Sequence, residues 1–270
     1  MYLVFDIGGT KMRIASSKDL KTFDEPKIVA TPSDFDEGIE VFKNTANELC
    51  KNKKIEAIAG GAPGPMDKNR TMLTGAPNLP EWNNKPLKEK LEQVLGAKVF
   101  LENDTALVGL GEAVAGAGKN YEIVAYITIS TGVNGVRVIN GKIDKNAMGF
   151  EIGKQIIDFS ENKMLEDLIS GEAFEKKYNK KPYDTHDEKI WDEAAKILAY
   201  GLNNTIAHWS PNIVVLGGSM MKTVGIPIEG VRSHLKEILK IFPEIPKIEK
   251  AVLEDFGGLH GSMEFLKQNI

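Results

Sequence analysis

Short apolar runs that alternate with glycine-rich turns and amphipathic stretches predict an α/β fold. Residues 3–5 are an apolar run of strand formers, and residues 11–15 alternate polar and apolar side chains, as a strand with one buried face does. Between them, Gly8 and Gly9 allow positive φ angles and leave no Cβ in the way. This stretch therefore predicts two strands joined by a hairpin tip at residues 6–10.

Helices are predicted where apolar residues recur every three or four positions. Ser33, with Asp36 three residues further on, is typical of a helix N-cap, and a helix should run from there to about Cys50. We interpret Cys50 as an inert core thiol. Residues 105–117 and 187–210 predict two further helices.

The second half of the chain repeats the hairpin pattern of the first. Residues 125–139 predict a strand, a polar tip and a returning strand. This echo predicts one hairpin on each side of a cleft, with two tips that could hold one triphosphate between them. A buried strand at residues 213–216 then runs into Gly217 and Gly218, where a flat ligand could approach the backbone closely.

The first hairpin tip has the chemistry of a phosphate site. Its backbone N–H groups, the Thr10 hydroxyl and the Lys11 ammonium suit phosphate oxygens, and Asp6 could face a Mg²⁺ ion bound to those phosphates. The alternative is a plain hairpin with a Gly-Gly turn. The chain has no Walker loop of the form Gly-x-x-x-x-Gly-Lys-Ser/Thr.

Polar residues follow the strand predicted at residues 99–102. Asn103 and Asp104 stand at its carboxyl end, where ligands of α/β folds usually bind. Asp104 has an alternative role as the N-cap of the next helix, and spacing alone does not separate the two.

Two other stretches have a functional and a structural interpretation. Asn78 and Trp82 suit a sugar, since hydroxyls need amide partners and a sugar's C–H face needs an aromatic ring, although a Trp such as Trp82 is more often a core residue than a ligand contact. The Gly/Pro-rich residues 60–65 should leave the sheet as a shaped surface loop, either a rigid turn or the wall of a ligand cleft.

These motifs resemble those of the ROK family of repressors and sugar kinases, within the sugar-kinase, actin and heat-shock ATPase superfamily. The resemblance extends from about residue 3 to residue 266 and rests on five stretches. They are Asp6-x-Gly8-Gly9-Thr10-Lys11, Gly61-x-Pro63-Gly64-x-x-Asp67, Asn78-x-x-x-Trp82, Glu102-Asn103-Asp104 and Glu151-Ile152-Gly153. The resemblance implies a two-lobed, duplicated actin-like or ribonuclease H-like ATPase fold with a central cleft. Its lobes would be residues 1–110, completed by the helix at 257–270, and residues 111–256.

The resemblance also implies roles for individual residues. Asp104 would be the catalytic base, and Glu166 aligns with a sugar-binding Glu, although it could instead be a solvent-facing helix residue. The sugar-binding set would be Asn78, Asn103, Glu151, Lys154 and Glu166. The set for the ATP phosphates and adenosine would be Asp6, Gly8, Gly9, Thr10, Lys11, Thr131, Gly132, Gly217 and Gly218, with Mg²⁺ held by Asp6 through the phosphates.

The sequence departs from the family pattern at two places. Lys154 replaces a His that binds sugar and zinc, and residues 155–165 contain no cysteine, so we expect no zinc site. Asn134 stands where the family has glycine, and Asn tolerates positive φ better than most residues.

Bulk properties exclude several classes of function. The 270 residues fit one large or two modest domains, and the net charge of -4 gives no support for binding nucleic acid. Cys50 is the only cysteine, so neither an internal disulfide nor a multi-thiolate zinc site can form. Neither a leader-like segment nor a membrane-length apolar run occurs, and we expect a cytoplasmic protein.

The function expected from these motifs is ATP-dependent phosphorylation of a hexose or N-acetylhexosamine. One alternative is a non-catalytic sugar sensor, but ROK repressors carry an N-terminal DNA-binding domain, whereas this sequence starts on the phosphate hairpin. The other is an inactive sugar- or nucleotide-binding module, suggested by Lys154 and Asn134. The motifs do not distinguish glucose, fructose, N-acetylglucosamine and N-acetylmannosamine, and the resemblance implies a homodimer.

Overall fold

A computed structural model of the chain describes residues 1–51 and 53–270 and divides into two units. The first unit consists of Met1–Ala115, Lys145–Gly149 and Leu253–Ile270, and the second of Gly116–Asp144 and Phe150–Val252. The domain boundaries expected from the sequence, at residues 110/111 and 256/257, stay a prediction.

The first unit is built on a five-stranded mixed sheet with the order β3-β2-β1-β4-β5. Its strands are β1 (Tyr2–Ile7), β2 (Lys11–Ser17), β3 (Lys27–Ala30), β4 (Ala57–Ala62) and β5 (Lys98–Asn103). The strands β1, β2 and β3 pair antiparallel, whereas β1, β4 and β5 are parallel. The two N-terminal strands predicted from the sequence are confirmed.

The second unit repeats this topology in the sheet β8-β7-β6-β11-β12. Its strands are β6 (Ile123–Ile129), β7 (Val133–Ile139), β8 (Lys142–Ile143), β11 (Ile213–Gly217) and β12 (Lys247–Lys250), and β9 (Ile156–Asp158) and β10 (Lys163–Met164) form a separate two-stranded sheet. The antiparallel trio β6, β7, β8 and the parallel trio β6, β11, β12 match β1, β2, β3 and β1, β4, β5. The duplicated α/β arrangement expected from the echoing hairpins is confirmed.

Eight helices cover these sheets in the described part of the chain. The first unit holds α1 (Phe35–Cys50), α2 (Leu87–Leu95), α3 (Asp104–Ala115) and α8 (Gly257–Lys267). The second holds α4 (Leu165–Ile169), α5 (Gly171–Tyr178), α6 (Glu188–Trp209) and α7 (Ile228–Ile238). No helix in the described residues has both the length and the apolar character needed to span a membrane.

The first residues of α1 and α6 can be compared with the predicted helix starts. Asp34, not Ser33, caps α1, because its carboxylate accepts a hydrogen bond from the Glu37 N–H at 2.8 Å. The expected Ser33 cap is therefore wrong by one residue. The long helix predicted at residues 187–210 is confirmed as α6, with Asp187 as its N-cap.

Trp82 and Cys50 belong to the core of the first unit. Trp82 is 1% exposed, meets the Phe35 ring edge-to-face at 5.4 Å between centroids, and donates its indole N–H to the Pro32 carbonyl at 3.1 Å. Cys50 is 2% exposed. The core interpretation of both side chains is confirmed.

The loop predicted at residues 60–65 begins later than expected. Gly60, Gly61 and Ala62 continue β4: the two glycines pair with both β1 and β5, and Ala62 pairs with β5, so the expectation that this stretch leaves the ladder is wrong. Both glycines are there for packing. A Cβ on Gly60 would lie 2.3 Å from the Phe5 ring, and one on Gly61 would lie 2.8 Å from the Cα atom of Asp104.

Candidate active site

The first hairpin tip is held by backbone contacts and leaves its polar groups open. The Gly8 N–H donates to the Lys11 carbonyl at 2.9 Å, and the Thr31 hydroxyl donates to the Gly8 carbonyl at 2.8 Å. Neither glycine of the tip adopts positive φ, so the glycines are not needed there for that conformation. Gly9 is needed instead because Asn78 approaches it, and a Cβ on Gly9 would lie 2.6 Å from the Asn78 Cβ. Thr10, Lys11 and Asn78 are exposed.

Asp6 lies near the end of β1 and is largely withdrawn from water. Its side chain is 15% exposed, and in the β1–β2 register it faces Arg13, whose Nη1 is 3.6 Å from its carboxylate. Burial raises the pKa of Asp6 to about 6, against the lowering effect of Arg13. Gly258 of α8 packs directly on this group, since a Cβ there would lie 2.8 Å from the Asp6 carboxyl carbon.

Asp104 is the first residue of α3, and its surroundings raise its pKa above that of Asp6. Burial and, to a smaller extent, the charge of Asp6 raise the pKa of Asp104 to about 7, against the lowering effect of the Thr105 N–H, which donates to Oδ1 at 2.6 Å. The negative charge of Asp6 therefore disfavours the ionisation of Asp104.

Asn103, rather than Asp104, caps α3. Its Oδ1 accepts from the Ala106 N–H at 3.1 Å, while its Nδ2 donates to the Gly64 carbonyl at 3.0 Å. The capping alternative for Asp104 is therefore wrong.

Sequence reasoning missed two arginines in the first unit. Arg13 lies opposite Asp6 across the hairpin, and this was accessible from the period-two alternation of β2. Arg70 pairs with Glu102 through Nε at 3.0 Å, and no local pattern indicates this contact across 32 positions.

The second hairpin tip contains three residues. Only Ser130, Thr131 and Gly132 separate β6 from β7, and Asn134 lies within β7, paired with Thr128. Asn134 is thus extended, and its tolerance for positive φ is not used. Thr131 is exposed at the tip.

Glu166 connects this tip to Lys154. One carboxylate oxygen accepts from the Val133 N–H at 2.9 Å, and the other lies 2.5 Å from the Lys154 ammonium. The alternative in which Glu166 is a solvent-facing helix residue is wrong, because both of its oxygens are engaged. The hydrogen bond to Glu166 raises the pKa of Lys154.

Glu151 belongs to the same charged group. Partial removal from water raises the pKa of Glu151, Lys154 lowers it, and Glu166 raises it. The structure therefore brings together three of the five residues expected to bind sugar, all in the second unit. Asn78 and Asn103 lie in the first.

A cavity of about 710 Å³ lies beside the second tip. Its walls include Thr131, Gly171, Lys181, Tyr183 and Ser219. Ser219 directly follows the glycine pair that ends β11.

The glycine pair itself serves protein packing. A Cβ on Gly217 would lie 2.5 Å from the Tyr126 hydroxyl, and Gly218, at φ +94°, faces the Ile129 carbonyl at 2.2 Å from its Cβ position. The space left by the two missing side chains is thus filled by β6, and the cavity begins one residue further on.

Within the described residues, no group of three or more His, Cys, Asp and Glu side chains is arranged to hold a metal ion. The expected absence of zinc stays a prediction that needs elemental analysis.

The ROK family model matches residues 2–269. The chain belongs to the ROK family. Its relatives in that family include an N-acetyl-D-glucosamine kinase of Citrobacter koseri, 28% identical over 97% of this chain and 98% of the relative. A glucokinase of Thermotoga maritima is 24% identical over 98% of this chain and 96% of the relative. The family membership inferred from the motifs is confirmed.

Solved ROK structures have the same fold. A ROK hexokinase from Thermus thermophilus superimposes with a TM-score of 0.87 at 26% identity, covering 99% of this chain and 98% of the other. A ROK glucokinase from Streptomyces griseus, solved with glucose and AMPPNP, gives a TM-score of 0.80 at 23% identity, with 99% of each chain covered. The actin-like fold class expected from the resemblance is confirmed.

Proposed function

We propose that this ROK protein transfers the γ-phosphoryl group of ATP to a hydroxyl group of a hexose or N-acetylhexosamine. The observation that carries the proposal is Asp104, a largely buried carboxyl group with a pKa of about 7 that α3 does not use as its cap. The sugar kinases among its relatives supply the reaction class.

Asp104 would act as the general base. A sugar hydroxyl is a weak nucleophile until its proton is accepted, and a base is most effective when its pKa lies near the working pH. The hydroxyl oxygen bonds to the γ-phosphorus as its proton passes to Asp104, and the bond from the γ-phosphorus to the β–γ bridging oxygen breaks, which releases ADP.

Asp6 and the first tip would hold the phosphates and Mg²⁺. Carboxylate oxygens are the ligands that Mg²⁺ prefers, and a cation beside Asp6 would offset the negative charge that raises the pKa of Asp104. Mg²⁺ when bound would neutralise phosphate charge. The Gly9 N–H, Thr10 and Lys11 would orient the phosphates, and Gly8, whose N–H is bonded to the Lys11 carbonyl, would shape the tip.

The second tip and its cavity would hold the rest of the nucleotide. Thr131 and Gly132 would contact phosphates, and adenosine would lie in the cavity that follows Gly217 and Gly218. The exposed ring of Tyr183, also in the cavity wall, offers an aromatic face for a base.

The sugar would be bound by Asn78, Asn103, Glu151, Lys154 and Glu166. Amides and carboxylates can each contact two hydroxyl groups, which suits a hexose. Because Lys154 already pairs with Glu166, we propose that these two side chains bind sugar as one unit and not as independent contacts.

The test is ADP release with ATP, Mg²⁺ and a panel of hexoses and N-acetylhexosamines, with Asp104→Asn as the background control. Release above that background with at least one sugar is the expected result. Absence of release with every sugar contradicts the proposal.

An inactive binding protein is the second candidate, and the observation that favours it is the engagement of Glu166 by both Lys154 and Val133. Titration calorimetry separates the two, because sugar binding with no ADP release identifies a binding protein.

A further inference from the structure

Arg70 has a backbone conformation that its side chain does not favour. Its φ angle is +54°, in the left-handed region, where a Cβ crowds the following carbonyl oxygen. Asp67 maintains the turn: its Oδ1 accepts from the N–H groups of Thr71 at 2.5 Å and Met72 at 2.8 Å, and its Oδ2 accepts from Asn69 at 3.1 Å. Such strain persists where the surrounding structure compensates for it, and it often marks a functional position.

The side chain of Arg70 shows what this conformation achieves. Its Nε lies 3.0 Å from a carboxylate oxygen of Glu102, and its Nη2 donates to the Asn146 side chain at 3.0 Å. The Arg70 and Glu102 side chains are only 20% and 11% exposed, so the charges are poorly screened. A planar guanidinium can make these two contacts at once, which an ammonium group cannot do in the same geometry.

The Glu102 oxygen that meets Arg70 also fixes the backbone of the candidate site. It accepts from the Asn103 N–H at 2.8 Å. Asn103 in turn caps α3 through Ala106 and is tied to Gly64. Each of these contacts restrains the junction between β5 and α3, on which Asp104 stands.

We propose that Arg70 is a positioning residue for Asp104: it holds Glu102, and Glu102 fixes the junction from which the base projects. The proposal rests on the kinase function proposed above. Because displacement of a catalytic group by about 1 Å can cost ~100-fold in rate, a residue that contacts neither substrate can still control turnover.

The first measurement does not require activity. In Arg70→Met, we expect the amide hydrogens of residues 103–106 to exchange with deuterium at least about tenfold faster than in the wild type, because their restraint is lost. Arg137→Met is the matched control. Arg137 pairs with Asp144 in the second unit through Nε at 2.8 Å, with 27% and 24% exposed side chains. It should leave exchange at residues 103–106 unchanged.

The second measurement separates positioning from simple charge balance. Arg70→Met leaves Glu102 buried and unpaired, which lowers stability by itself. Arg70→Met/Glu102→Gln removes both charges and keeps an oxygen that can accept from the Asn103 N–H. We expect the double variant to regain most of the lost melting temperature while kcat stays at least about tenfold below wild type, with the KM for ATP within about twofold.

Two results would overturn the proposal. One is unchanged exchange at residues 103–106 in Arg70→Met. The other is a double variant whose kcat returns to the wild-type value together with its stability, which would make Arg70 a charge partner only. If the wild type releases no ADP with any sugar, the kinase proposal fails, and the exchange measurement still decides whether Arg70 holds the junction.

Discussion

At the scale of single residues, the site depends on two carboxyl groups that the protein keeps away from water. Asp6 and Asp104 have pKa values of about 6 and about 7, both raised by burial. The charge of Arg13 lowers the pKa of Asp6, whereas a hydrogen bond from the Thr105 N–H lowers the pKa of Asp104. The two groups thus differ in how readily each accepts a proton.

Replacement of Asp104 by Asn should separate its chemistry from its structure. Asn keeps an oxygen for the Thr105 N–H but accepts no proton, so kcat should fall by about 10²- to 10⁴-fold. The melting temperature at pH 8 should stay equal or rise, because a buried charge is removed. Asp34→Asn, at the true cap of α1, is the control and should leave kcat unchanged. Near wild-type turnover in Asp104→Asn would remove this residue from the mechanism.

The same two groups predict how stability depends on pH. Their folded-state pKa values lie above the ordinary value of 3.8, so the folded protein binds more protons between about pH 4 and pH 7. Their contribution to stability is fully present below about pH 4 and is lost as the pH rises through about 7. In Asp6→Asn/Asp104→Asn, the fall in melting temperature between pH 5 and pH 8 should be smaller than in the wild type. An identical fall in both proteins would contradict the raised pKa values.

Residue-scale prediction from the sequence succeeded where a motif and a chain neighbour were enough. Asn103 and Asp104 were placed at a strand end from local pattern alone. The partners of Lys154 and Arg70 were not foreseen, because each depends on a contact made only after distant segments pack.

At the scale of elements, the first unit depends on a close contact between α3 and α8. A Cβ on Gly111 would lie 2.3 Å from the Gly257 carbonyl oxygen, and one on Gly261 would lie 1.7 Å from that of Leu107. Because both obstacles are backbone atoms, the helices would have to move apart to admit a side chain.

Gly261→Ala should therefore lower the free energy of unfolding by about 1–3 kcal/mol, the usual cost of overpacking. Gly75→Ala is the matched control: its nearest neighbours are 3.8 Å away, and the change should stay within about 0.5 kcal/mol. Denaturant unfolding of the two variants measures both. Equal stability of Gly261→Ala and the wild type would show that the helices are not in close contact.

Element-scale prediction failed mainly at glycine. Gly60 and Gly61 indicated a turn because glycine favours turns, yet both lie within β4 where Phe5 and Asp104 leave no room for a side chain. Asn134 was assigned to the tip for a related reason: Asn tolerates positive φ, yet pairing with Thr128 keeps it extended within β7. Long amphipathic helices such as α6 were predictable, because apolar residues that recur every three to four positions over many turns do not fit a strand.

At the scale of the whole molecule, we predict that the purified protein carries no stoichiometric zinc. One cysteine and four histidines scattered along the chain do not supply the usual tetrahedral ligand set. Chelators should leave the melting temperature unchanged. About one zinc per chain by elemental analysis, removable with loss of stability, would disprove this.

The expected homodimer and cytoplasmic location also remain predictions, and light scattering tests the first.

The three separate stretches that build the first unit have a consequence for how the protein is made. The Ser262 hydroxyl of α8 donates to the Phe5 carbonyl at 2.9 Å, across 257 positions. Ribosomes add about 5–20 residues per second, so β1 leaves the exit tunnel roughly ten to fifty seconds before the helix that covers it exists. During that interval the emerging sheet keeps an apolar face uncovered, and the nascent chain is then most exposed to chaperones and proteases.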